Sequence, residues 1–130
     1  MTDAALILDN LERLADRGVD PSGAVYAQLF SRYPEFEPLF ALDRDGGVRG
    51  SMLQQALDCL IQHLEGGHVA ASVMLAERGT HEGYGVPAAR FESFFEVIRD
   101  TFAGLLGPDW SDAHHSAWTR TIEHLRQSVV

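Results

Sequence analysis

At 130 residues the chain fits one domain, 1–130, and is long enough to bury a hydrophobic core without disulfides or a structural metal. Hydrophobic residues make up 45% and charged residues 22%, and no apolar run approaches the roughly 18 residues that a membrane span requires. Nineteen acids against ten bases leave a formal charge of −9, which repels nucleic-acid phosphates and anionic lipid surfaces and argues against both as partners.

The start, Met1-Thr2-Asp3, places an acid where a secretory leader carries bases, so the expected location is the cytoplasm. Apolar residues then recur at helical spacing along nearly every segment, and lasting strand alternation occurs in none, which predicts an all-α fold. The first helix, about Asp3 to Arg17, places Ala4, Ile7, Leu11 and Leu14 on one face and stops at Gly18. Asp20 caps a second helix with Pro21 in its first turn, and Val25, Tyr26, Leu29, Phe30 and Tyr33 form its apolar face. Pro34 and Pro38 confine the next segment to a short turn-like helix, Glu35 to Phe40. The loop Asp43-Arg44-Asp45-Gly46-Gly47 has too few ligands for a calcium loop and reads as a plain connection.

A long helix from about Val48 to Leu64 carries the clearest stripe, Met52, Leu53, Ala56, Leu57, Leu60, Ile61 and Leu64. Cys59, the only cysteine, sits inside this pattern and reads as a buried thiol. After Gly66-Gly67 a helix from about His68 to Gly79 leads to His81, and Pro87 opens a helix with Phe91, Phe94, Phe95, Ile98, Phe102 and Leu105 inward. A last helix, roughly Ser111 to Gln127, presents Trp118, Ile122 and Leu125. Six to eight helices joined by short connections are compatible with an up-and-down bundle and with the globin sandwich.

Three residues decide between them: Tyr26, Phe40 fourteen positions later, and His81 in His81-Glu82-Gly83-Tyr84-Gly85-Val86. Together they can line an apolar pocket with one nitrogen ligand, which is what holding a haem requires. The imidazole of His81, at a helix end beside glycines, can reach an iron and leave the opposite position open, while Thr80 or a backbone carbonyl takes its other ring nitrogen. Tyr26 can offer its hydroxyl to bound O₂ from the opposite side, where low polarity strengthens the bond and slows release. His63 is the rival ligand but lies beyond the centre of the stripe, and His68, His114, His115 and His124 read as surface residues.

Tyr26-Ala27-Gln28-Leu29-Phe30 with Pro34, then Pro38-Leu39-Phe40, then His81 followed by Gly85-Val86 resemble, in order and spacing, the bacterial globins, particularly the globin portion of flavohaemoglobins. The resemblance implies a globin fold holding haem b, with His81 on the metal and Phe40, Leu53, Leu57, Val86, Phe91 and Phe95 against the ring. It implies Tyr26 beside the gas, with Met52 or Leu53 as the residue opposite it and an apolar wall around them. Gln54 and Gln55 are adjacent on the helix, so at least one turns to solvent. The implied function is reversible binding of O₂, NO or CO, extended to NO detoxification when an external reductase supplies electrons. A sensor or interaction module of the same fold, with or without haem, is a second reading, and patterning alone does not separate a homodimer surface from a crowded core.

The chain departs from the family in several places, among them a longer loop after Phe40 and two positions around the histidine. Phe91 stands where flavohaemoglobins have a tyrosine that strengthens the proximal bond together with a C-terminal carboxylate, so the resemblance does not extend to a strongly electron-rich, peroxidase-like histidine. Glu77 stands where leucine is common under the haem, which predicts a helix broken near Gly79 or a local slip in register.

Overall fold

The computed structural model describes residues 1–67 and 69–128, and among these every regular element is helical. Helix α1 spans Asp3–Asp16, α2 Ser22–Arg32, α3 Gly47–Leu64, α4 Val69–Gly83, α5 Ala88–Leu106 and α6 Asp112–Ser128. Short 3₁₀ turns, Pro34–Phe40 and Gly107–Asp109, succeed α2 and α5. No described helix is long and apolar enough to cross a membrane. His68, expected at the start of the fourth helix, lies outside the described residues.

The helix ends obey the capping chemistry of the sequence. Thr2 accepts the Ala5 amide at 3.1 Å to start α1, and Gly18, at φ +66°, takes the left-handed turn after it that a side chain would strain. Asp20 accepts the Ser22 amide at 3.0 Å, but Pro21, expected in the first turn, stands at the N-cap itself, one residue later than the cap expected at Asp20. The connection before α3 is more than a plain loop. Asp43 is buried, and its carboxylate accepts the amides of Val48 at 3.0 Å and Arg49 at 2.9 Å together with the Arg49 Nε at 3.0 Å. Burial pushes this carboxyl upward, but the two amides and the guanidinium outweigh it and hold the group below its ordinary value.

The expected break at Gly79 is absent: α4 runs unbroken to Gly83, with His81 inside its last turn. A glycine within a helix costs only about 1 kcal/mol relative to alanine, and a Cβ at Gly79 would meet nothing within 4 Å, so no crowding forces the chain apart there.

Helix α5 runs through the core, packing against α1, α2, α4 and α6, while α3 lies mainly against α4. The expected core residues Trp118, Ile122 and Leu125 of α6 are buried and meet Ile98 and Phe102 of α5, with the Phe102 and Trp118 rings 5.7 Å apart edge to face. Beneath them the Trp118 indole N–H donates to Asn10 Oδ1 at 2.9 Å, and both residues are fully buried. The Asn10 amide NH₂ has no partner among the described residues.

This packing is open to two tests. Trp118→Phe strands the Asn10 carbonyl in the core and is expected to lower unfolding stability by about 1–3 kcal/mol, read as a lower urea midpoint; adding Asn10→Leu should restore part of the loss, because it removes the stranded group. Asp43 contributes stability that is present above its ordinary pKa of 3.8 and is lost as pH falls through the depressed native value. The advantage of the wild type over Asp43→Asn should therefore be complete near neutrality and shrink on acidification from 3.8 downward, as monitored by circular dichroism during acid titration.

Candidate functional site

A cavity of about 480 Å³ lies between the α2 and α5 pair on one side and the α3 and α4 pair on the other, with the Pro34–Phe40 turn at one end. That volume is within the range of sites that enclose a cofactor-sized ligand. Its lining is almost wholly apolar and joins residues far apart in sequence: Tyr26, Phe40, Met52, His81, Val86, Phe91 and Phe95 all reach it.

His81 enters from the last turn of α4. Its Nδ1 lies 2.7 Å from the carbonyl oxygen of Glu77, one turn back on the same helix. A carbonyl only accepts, so Nδ1 carries a proton, and in the neutral ring Nε2 is left with the lone pair; Nε2 has no hydrogen-bond partner among the described residues. Of the two partners anticipated for the ring, the backbone takes the role, since the Thr80 hydroxyl donates instead to the Ala76 carbonyl at 3.1 Å. The Phe91 ring, 4.9 Å away, packs against the imidazole. After α4 the chain turns through Gly85 at φ +86°, and Val86 returns its amide to the His81 carbonyl at 2.9 Å, which brings the buried Val86 side chain to the wall beside the histidine.

Tyr26 faces the cavity from α2 and is only 2% exposed. Its ring is 5.5 Å from Phe40, 6.0 Å from Phe30 and 5.7 Å from Phe94. Burial raises the phenol far above its ordinary pKa, with the Arg49 charge offsetting part of the effect, so the group stays a hydroxyl donor. That proton is engaged: the hydroxyl donates to the Arg49 carbonyl in the first turn of α3 at 2.9 Å. No residue pattern marks this bond in advance, because a backbone acceptor carries no residue identity.

Helix α3 separates the two candidates opposite Tyr26. Met52, Gln55, Ala56 and Cys59, spaced three, four and seven from the first, line the cavity. Leu53, Leu57 and Leu60 lie about 100° further round the helix and pack into the core, so Leu53 and Leu57 do not reach the cavity as expected. The wall is also less uniformly apolar than anticipated, since exposed Gln55 joins it, whereas Gln54 turns to solvent and donates to Asp58 at 2.9 Å. Cys59 is buried as expected, and burial pushes its thiol upward, which keeps it in the unreactive form.

Sequence reasoning did not single out Val73 and Met74 as lining residues, although the spacing Val73, Glu77, His81 marks one face of α4 once its continuity is known. Arg90 also lines the cavity; it stacks 4.6 Å over the Tyr33 ring and makes no ion pair among the described residues. His63 faces a different, polar pocket with Asp3, Arg120 and His124, and burial together with the His124 charge holds it below its ordinary pKa. His114 bridges to Asp9 at 3.1 Å, and no group of three or more metal-binding side chains occurs among the described residues.

The arrangement is an apolar slot with one free imidazole nitrogen on one wall and one buried hydroxyl on another. A search of curated proteins finds no match to the chain. The Globin family model matches residues 23–129, most of the chain and every element that lines the cavity. By that match and by its helical architecture, the chain belongs to the globin family, whose members usually bind haem and, through it, diatomic gases.

Proposed function

We propose that this chain holds haem b and binds a diatomic gas reversibly. The observation that carries the reading is the 2.7 Å contact of His81 Nδ1 with the Glu77 carbonyl: in the neutral ring it directs the Nδ1 proton to that oxygen and leaves Nε2 as the coordinating nitrogen, oriented before any metal arrives. The slot supports it, because its largely apolar lining suits a flat hydrophobic macrocycle. The b-type group is indicated because the single cysteine, Cys59, leaves no Cys-x-x-Cys-His segment for thioether attachment.

When bound, the haem supplies an iron with one open coordination position. The chain does the rest. His81 provides the coordinate bond, Phe91 keeps its ring from turning, and Phe40, Val86 and Phe95 pack against the macrocycle and exclude water. Arg90, with no ion pair among the described residues and placed at the cavity wall, offers a guanidinium to a carboxylate of the porphyrin. On the gas side Met52 and Ala56 give bulk without polarity, and Tyr26 supplies the hydrogen-bond donor.

Tyr26 has a single proton, so it serves the gas only by leaving the Arg49 carbonyl. A hydrogen bond to a charged acceptor contributes about 1.5–3 kcal/mol and a neutral one about 1 kcal/mol, so the net gain is about 0.5–2 kcal/mol.

Protein from a haem-supplied host should show an intense Soret band that shifts with CO, and His81→Gly should lose most of it and regain it with added imidazole. A colourless, well-folded wild type overturns the reading. Stopped-flow measurement on Tyr26→Phe should show O₂ dissociation faster by about tenfold, the equivalent of about 1.4 kcal/mol; an unchanged rate removes Tyr26 from the site.

A further inference from the structure

The Glu77 carboxylate faces the imidazole of His81 from the same wall of the cavity. The two residues are one turn apart on α4, and Glu77 Oε2 lies 3.9 Å from His81 Nδ1, beside the 2.7 Å bond that Nδ1 makes to the backbone oxygen of the same glutamate. One residue thus supplies both the acceptor that fixes the ring and a negative charge next to its N–H.

Neighbouring cations do not neutralise that charge. Arg78, the next residue along, is turned to Glu92 at 3.3 Å, and Arg90 is stacked on Tyr33. No arginine pairs with Glu77 among the described residues. Asp43, the other acid that lines this cavity, is occupied by Arg49. The Glu77 side chain lines the cavity at 37% exposure, and a macrocycle against this wall covers it further. A carboxylate withdrawn from water costs several kcal/mol unless a positive group faces it. The positive group that this geometry offers is the imidazole N–H, which would become more positive if the same ring held a metal cation.

Resting on the haem reading, we propose that Glu77 is a positioning residue that makes the proximal imidazole electron-rich and so stabilises ferric over ferrous iron. Outer partners of a ligating histidine tune the metal in this way by increasing ligand donation. The tyrosine expected to help strengthen the proximal bond is replaced by Phe91, whose ring can pack on the imidazole but accepts no proton; Glu77 provides a carboxylate from within the ligand's own helix.

The test compares wild type, Glu77→Gln, Glu77→Asp and Glu82→Gln, each loaded with haem, by spectroelectrochemistry and by resonance Raman of the iron–histidine stretch. Glu77→Gln should shift the ferric-to-ferrous ratio at fixed potential toward ferrous by about tenfold, about 59 mV for a one-electron couple, and lower the stretching frequency. Glu82→Gln removes the same charge from an exposed neighbouring position and should leave both readings near wild type. Glu77→Asp, with its carboxylate drawn back, should shift both in the same sense by less. An unchanged potential and frequency in Glu77→Gln, or an equal shift in Glu82→Gln, overturns the proposal. Should Glu77→Gln fail to fold, Glu77→Asp decides alone: a smaller shift supports the proposal and none overturns it. An iron–histidine band that persists in His81→Gly instead removes the ligand assignment on which Glu77 depends.

Discussion

The continuity of α4 between Glu77 and His81 is the constraint on which the site depends. A helix returns its carbonyl to the residue four places on, and here that geometry delivers the Glu77 oxygen to an imidazole Nδ1 as well as to the backbone ladder. The bond selects one tautomer and one ring orientation. A break at Gly79 would release both, and the cavity would lose its directed nitrogen. Gly79, despite its residue type, is thus part of a rigid support: the turning glycine of this region is Gly85, beyond the helix, where the chain reverses to bring Val86 back to the wall.

A comparable chain of dependence operates across the cavity. Asp43 accepts the first amides of α3 and the Arg49 guanidinium, which fixes the opening turn of that helix. The Arg49 carbonyl then stands within reach of Tyr26, giving a buried hydroxyl an acceptor it would otherwise lack. An unsatisfied hydroxyl at that depth would cost about 1–3 kcal/mol. The connection before α3, which reads as an unremarkable run of acids and glycines, thereby sets the hydrogen bonding of Tyr26.

Much of the fold was legible because helical faces are written in residue types. The stripes of α5 and α6, the proline-confined turn before Phe40 and the glycine turn at Gly18 come from side-chain hydrophobicity and backbone sterics alone. The site was legible in outline through Tyr26, Phe40, His81 and Val86, which share one cavity. Two kinds of information were missing. A stripe of paired apolar residues on α3 fixes the buried half of a helix but not which edge faces a cavity and which faces solid core, and so Leu53 and Leu57 were placed with Met52 although the helix turns them about 100° away. The other missing kind is backbone chemistry: the carbonyls of Glu77 and Arg49 decide the proton positions on His81 and Tyr26, and any residue at those positions would carry the same atom.

These two carbonyls have opposite consequences for a bound ligand. The one at Glu77 holds a proton away from the cavity and exposes a lone pair toward it, so it helps a metal at no later cost. The one at Arg49 holds the Tyr26 proton that, on the proposed reading, a bound gas would have to win. A ligand atom that gains negative charge on binding outcompetes a neutral carbonyl, because charge-assisted hydrogen bonds are about twice as strong as neutral ones. A ligand that stays nearly neutral does not, and for it Tyr26 remains on Arg49 and acts only as bulk. On the proposed reading, discrimination between gases in this cavity would rest on the difference between two acceptors, and the resident one, the Arg49 carbonyl, belongs to the helix turn whose amides Asp43 accepts.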